Sequence, residues 1–296
     1  MQPSEIAPAA GYRPFALSGS VLVRRLASEP LGMLGLFLVL ALVFCGMTAD
    51  WIAPYDPLKI NIPDRMLEPS LFHVMGTDKL GRDILSRVIK GSQIALIVGV
   101  SSIAVAMLIG LTLGLVAGYA PRLLDNGLLL CFDTIYSFPS VMLALAVVTL
   151  FGSSLATLIV VVVAIQAPAY ARLVRTATLS VKSFEYILAE RAMGASRLRI
   201  LVRHVLPNIL GPLLIIASMD IPSVITLEAG LSFLGLGIPP PAPSWGRILQ
   251  EGYVDLRDAP WIVISGGIPL ILTTLGFTFL GESLRDMLDP KLRRIV

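Results

Sequence analysis

Long uncharged runs alternate with short polar stretches along the chain, and the runs have the length of helices that cross a bilayer. Pro30–Ala49 carries no Asp, Glu, Lys or Arg, and neither does Gln93–Pro121. Thr134–Ala171 is uncharged for 38 residues, too long for one crossing of about 20 residues. Phe151-Gly152-Ser153-Ser154 divides it into two, with a very short turn between them. Val205–Gly235 is broken only by Asp220 and Glu228, and Ala259–Gly281 is uncharged. The pattern predicts an all-α membrane protein with six transmembrane helices, at 30–53, 93–120, 128–150, 155–174, 209–235 and 259–281. Between them lie a 1–29 N-terminal segment, a 54–92 loop with a surface helix, a 175–208 loop, a 236–258 loop and a 282–296 tail.

Composition strengthens this picture. Of 296 residues, 55% are hydrophobic and only 15% charged, whereas a soluble domain averages about 25% charged. A soluble enzyme and a disordered tether are both excluded, and the solvent for most of the chain is lipid. The net charge of +3 reads as basic loops on the cytoplasmic side, with no call for nucleic acid. The N-terminal segment, the 121–127 turn, 172–204 and the tail hold 15 of the 23 Lys and Arg residues, and the opposite loops hold 8. Both termini are therefore expected in the cytoplasm, in a multi-pass protein of a bacterial or archaeal cytoplasmic (inner) membrane. Arg24 and Arg25 precede the first span as in a signal peptide. Its apolar run exceeds the usual 7–15 residues of such a peptide, so it reads as an uncleaved anchor.

The least lipid-like stretch is 172–208. Lys182–Met193 has helix-forming residues, with Phe184, Ile187, Leu188 and Arg191 on one side. Gly194 interrupts it and Ser196 can cap a second helix. There Leu198, Leu201, Val202, Val205 and Leu206 recur at helical spacing as an apolar stripe, with Arg197, Arg199 and Arg203 off it. Pro207 is expected to bend the chain back towards the membrane. On these residues alone, an amphipathic loop resting on anionic lipid heads and a docking helix for a cytoplasmic partner both remain open.

Ala189-Glu190-Arg191-Ala192-Met193-Gly194-Ala195-Ser196, followed by Val205-Leu206-Pro207-Asn208, resembles the cytoplasmic EAA loop of ABC importer permeases. Gly194 and Leu206-Pro207 match that loop in spacing; the triplet departs, with Leu188-Ala189-Glu190 where Glu-Ala-Ala stands in the family. Gly76-Thr77-Asp78-Lys79-Leu80-Gly81-Arg82-Asp83 and Glu228–Gly237 with Ser244-Trp245-Gly246 resemble segments of the second permease subunit of dipeptide, oligopeptide and nickel importers. The similarity runs from about residue 20 to Leu288-Asp289-Pro290. It implies a permease core over 80–281 and an ATPase-coupling role for Ala189, Glu190, Arg191, Ala192, Gly194, Ala195, Ser196 and Arg197, with Leu206, Pro207 and Asn208 at the loop exit. It implies an extracytoplasmic element built on Gly76, Thr77, Asp78, Gly81, Arg82 and Asp83. The implied partners are a homologous permease subunit, two ABC ATPase subunits and a periplasmic or lipoprotein substrate-binding protein, besides membrane lipid. ATP and Mg would be bound by the ATPase partners and no cofactor by this chain.

The chain itself lacks an ATPase motif, since none of its five lysines follows a glycine. Asp220 and Glu228 are eight residues apart, about 80° around a helix and about 12 Å along it. They and Gln166 are candidates for the pathway wall, because an acid in the membrane costs about 2.5–3.5 kcal/mol and needs a reason; bundle hydrogen bonding is the other account of each. Asp133 reads as a boundary residue. Gly76–Arg87 reads either as a surface helix capped by Thr77 or Asp78 with solvated charges, or as part of the extracytoplasmic surface. His73, His204, Cys45 and Cys131 make no metal-site or disulfide pattern. Di- or oligopeptide is the expected substrate, with nickel chelates, glutathione or opine-like conjugates as alternatives. A self-sufficient secondary transporter is the competing class; a membrane-embedded enzyme lacks any catalytic constellation among the spans.

Overall fold

A computed structural model describes Leu26 and residues 29–288. The 1–29 segment, apart from Leu26 and Glu29, and the end of the tail with Asp289-Pro290 lie outside the described residues. The helices are α1 (Pro30–Ile52), α2 (Ile84–Tyr119), α3 (Arg122–Tyr136), α4 (Ser140–Phe151), α5 (Leu155–Lys182), α6 (Glu185–Ala192), α7 (Arg197–Ile200), α8 (Leu206–Phe233), α9 (Trp245–Val254) and α10 (Pro260–Leu288), with a π-helical turn at Leu201–Val205. Among the described residues five helices are long and apolar enough to cross a membrane. The pair α3 and α4, bent by 87°, makes a sixth.

Three expectations need correction. The surface helix expected within 54–92 is absent. Asp83 instead caps α2, its carboxylate accepting from the Ser86 amide at 2.8 Å. Ahead of it, Gly76–Asp83 is a tight loop closed by an isolated bridge between Thr77 and Asp83. Gly81 turns this loop at a φ of +71°, and a Cβ there would overlap the Asn61 carbonyl. The helix begins nine residues ahead of the uncharged run that marked it, because the charges on its first turns are paired. Arg87 pairs with Asp78 and Glu251, and Lys90 with Asp50.

The single span expected at 128–150 is two helices. Pro139, which lacks an N–H, disfavours helical geometry at Phe138 before it, and the chain turns there. Finally, Pro207 does not turn the chain sharply. A helix runs from Arg197 through Pro207 to Phe233, with the π turn Leu201–Val205 just ahead of the proline.

Helix α2 organises the bundle. Its 36 residues span about 54 Å at 1.5 Å per residue, well beyond the hydrocarbon layer of about 30 Å. Gly110, Gly114 and Gly118 repeat every four residues and form one face of it, against Ala167, Tyr170, Ala171, Val174 and Thr178 of α5. A Cβ at Gly114 would stand 2.5 Å from the Ala171 carbonyl. Lipid offers no hydrophobic drive between helices, so close backbone approach through small residues supplies the packing. One apolar core lies between α2, α5 and α8 around Val98, Leu158, Tyr170, Val174 and Leu213. A second joins α1, α9 and α10 to the start of α2 around Ile84, Trp245, Ile248 and Ile262.

Candidate functional site

The resembling segments fall at opposite ends of α2. At the start of α2, Asp78 and Arg87 are both buried. Arg87 Nη1 donates to Asp78 and, at 2.6 Å, to Glu251 Oε2 of α9. Arg82 Nε donates to Asp78 at 2.7 Å, and its Nη2 reaches Glu251 at 3.2 Å. Burial pushes the Glu251 carboxyl up, but the Arg87 hydrogen bond and the charges of Arg87, Arg82 and Arg247 outweigh it. The net result lies below the usual glutamate range. The solvated charges of the surface-helix reading are thus a buried network. Thr77 is equally buried, its hydroxyl accepting from the Leu67 amide at 2.8 Å. His73 lies 2.9 Å from Asp83 and stacks with Tyr55, so it clamps the loop to the α2 cap. Among the described residues no group of His, Cys, Asp and Glu could hold a metal ion.

At the far end, α5 is tied down before the chain enters the 183–205 loop. Arg175 grips Asp125 of α3 with two hydrogen bonds, at 2.5 and 2.6 Å. Lys182 donates to the Gly118 carbonyl at 2.6 Å and covers the Tyr119 ring. The helix expected over Lys182–Met193 starts later, at Glu185, after a turn at Ser183–Phe184. Gly194, at a φ of +85° with open space around it, terminates α6, and the Ala195 amide bonds back to the Glu190 carbonyl. Ser196 caps α7 by accepting from the Arg199 amide.

Ile187 and Ile200 anchor the loop in the core, while Arg191–Gly194 and Ser196–Arg199 are exposed, Ala195 between them being half-buried. The expected stripe is split: Val205 is buried, whereas Leu198 and Val202 face outward. The π turn is wider than 3.6 residues and rotates the helix face at that point. Glu190 is held by His204, Oε1 to Nε2 at 3.1 Å, and Asn208 donates to the His204 carbonyl at 2.6 Å. Ala189 and Pro207 are exposed, and Leu206 is half-buried.

Both membrane acids are hydrogen-bonded within the bundle. Asp220 accepts from the Tyr170 hydroxyl at 2.8 Å, joining α8 to α5. Glu228 is buried, and the Ser232 hydroxyl donates to it at 2.6 Å. Neither is on the wall of two cavities that open beside α4 and α5. One such cavity, of about 470 Å³, is lined by Ser140, Val162, Gln166, Thr226 and Leu227. A second, of about 420 Å³ and between α3, α4 and α5, is lined by Tyr136, Pro139, Leu143 and again Ser140, Ile165 and Gln166. Ile165 also lines the first. No charged residue lines either of them. Asp133 is outside both, exposed and paired with Arg172 at 2.8 Å. Of the three pathway candidates, Gln166 is the one that lines these two cavities; Asp220 is half-buried and Glu228 buried. Ser140 and Thr226 were not singled out from the sequence. The signal for the latter is a helical face of small and polar residues, Ser223, Thr226 and Gly230, all on the cavity wall.

Comparison with known proteins places this architecture. Residues 110–294 match the family of binding-protein-dependent transport system inner membrane components. Residues 20–69 match the N-terminal transmembrane domain of oligopeptide transport permease C. The chain is 44% identical to the glutathione transport system permease protein GsiD of Pectobacterium atrosepticum, over 88% of this chain and 86% of that one. It is 37% identical to the di/tripeptide transport system permease protein DppC of Pseudomonas aeruginosa, over 88% of each. A solved structure of the MetNI methionine ABC transporter superposes with a TM-score of 0.58 at 22% identity. The match covers 70% of this chain and 98% of that one, and shows the shared fold. The chain is a multi-pass transport subunit and no enzyme: it belongs to the inner-membrane permease components of binding-protein-dependent ABC importers.

Proposed function

We propose that the chain is one of two transmembrane subunits of an ATP-driven importer for short peptides and forms half of the translocation pathway. One observation carries this reading. Relatives aligned over 88% of the chain are named for glutathione and for di- and tripeptides, and glutathione is itself a tripeptide. A homologous permease would supply the other half of the pathway. Two ATPase subunits would bind ATP and Mg, and a periplasmic or lipoprotein binding protein would deliver the cargo.

The 183–205 loop is the proposed ATPase contact. Its support is an uncovered apolar surface at Leu188, Met193, Leu198 and Val202, which are 51%, 78%, 69% and 55% exposed. A soluble partner covers such a patch more readily than water does, and Arg191, Arg197 and Arg199 border it. Both termini and this loop would face the cytoplasm, following the excess of Lys and Arg on that side. The Asp78–Arg87–Glu251 end would then face the binding protein.

Purification of the tagged chain from its native membrane, followed by ATP-dependent uptake of a labelled tripeptide in proteoliposomes, tests the reading. A second permease and two P-loop ATPases should co-purify, and uptake should stop without ATP. Peptide uptake by the chain alone would overturn it in favour of a secondary transporter.

A further inference from the structure

We infer that Gln166 is the group on the pathway wall that reads the main-chain amide of a passing peptide, an inference that rests on the peptide-importer reading above. Gln166 lies eleven residues into α5, about 17 Å along it at 1.5 Å per residue. That depth is near the middle of a hydrocarbon layer of about 30 Å. A primary amide at such a depth is costly unless it is hydrogen-bonded. Asp220, Glu228 and Ser223 of α8 meet that requirement inside the chain, through Tyr170, Ser232 and the Asp220 carbonyl in turn; among the described residues the lone hydroxyl of Thr226, on the same wall as Gln166, does not. Among the described residues Gln166 makes no hydrogen bond. It is only half-buried, and it lines both cavities, the one between α4, α5 and α8 and the one between α3, α4 and α5.

The chemistry of the wall narrows the ligand. A Gln side chain carries a carbonyl acceptor and an NH2 donor on one plane, which is the complement of a peptide group. With no charged residue on either cavity, the charged ends and ionised side chains of a cargo find no fixed partner there. The remaining lining is apolar apart from hydroxyls, so it accepts side chains by size alone. A wall of this kind passes peptides of many sequences and holds on to what they share, the amide.

The test uses the complete importer in proteoliposomes, with the binding protein and ATP supplied. Uptake of a tripeptide is compared with that of its backbone ester analogue, which lacks one amide N–H, in the wild type and in Gln166→Met and Gln166→Leu. The binding protein's own preference enters every ratio equally, so the change in ratio between chains isolates the wall. The peptide-to-ester ratio should fall about tenfold in both variants, the worth of one hydrogen bond of about 1.4 kcal/mol. An unchanged ratio overturns the inference. Loss of the second permease from the variant complexes also overturns it, since Gln166 would then be a subunit contact. A wild-type complex that takes up neither compound would instead remove the peptide-importer reading itself.

Discussion

Arg87, in the first turn of α2, and Glu251, in α9, are 164 positions apart in sequence and 2.6 Å apart in space. Their pairing, shared with Asp78 and Arg82, fastens the loop before α2 to the short helix before α10. Arg87→Met takes one cation from two buried carboxylates that keep Arg82, so the cost should fall below the roughly 3–5 kcal/mol of a buried charge left with no partner at all. The purified protein should unfold at a clearly lower temperature than the wild type, and Arg257→Met, outside this network, should not shift it.

The same network sets an acid limit. The folded Glu251 carboxyl lies below the ordinary value of 4.5, so its contribution is complete above that value. It is lost as the pH falls through the lower folded pKa. Thermal unfolding followed from pH 7 to pH 3 should show a fall below about pH 4.5 that is smaller in Glu251→Gln.

Tyr170→Phe removes the hydroxyl that donates to Asp220 and changes nothing else in shape. The stranded carboxylate should cost about 1–3 kcal/mol, read as a lower unfolding temperature. Tyr170→Phe combined with Asp220→Asn should recover part of it, which an additive pair of independent changes would not do.

The spans were legible because lipid demands long uncharged runs: Pro30–Ala49 falls inside α1, and all of Ala259–Gly281 but its first residue inside α10. What the sequence could not show is which charges are cancelled by distant partners. Arg87 and Lys90 made the first turns of α2 look like loop, although their partners Glu251 and Asp50 neutralise them. The bend at Phe138-Pro139 lies within an uncharged stretch, where no change of polarity marks it. Asp220 drew attention as a lone membrane acid because its partner, Tyr170, is 50 residues away. The loop at 183–205 was more legible, since Gly194 and Ser196 act on their immediate neighbours.

Met193→Asp and Leu198→Asp place charge on the exposed apolar patch of the 183–205 loop, where neither side chain supports the core. The folded permease should survive, with an unchanged unfolding temperature. Co-purified ATPase should fall at least about tenfold, corresponding to about 1.4 kcal/mol of lost docking.

Gly114 and Gly127 should respond oppositely to the same substitution. Gly114→Ala drives a methyl into the Ala171 carbonyl and Val174, so folded protein should be lost. At Gly127 in α3 nothing lies within 4 Å of the added carbon, and alanine should stabilise the helix by about 0.5–1 kcal/mol. Yield and unfolding temperature of the two variants give the comparison.

The glycine seam between α2 and α5 also decides how the 183–205 loop is held. With backbones this close, the last turns of α2 and the facing stretch of α5, Ala167–Thr178, cannot slide or roll on one another without collision. The 183–205 loop follows shortly after that stretch, so it is hung from a paired and locally stiff support and not from a single free helix end.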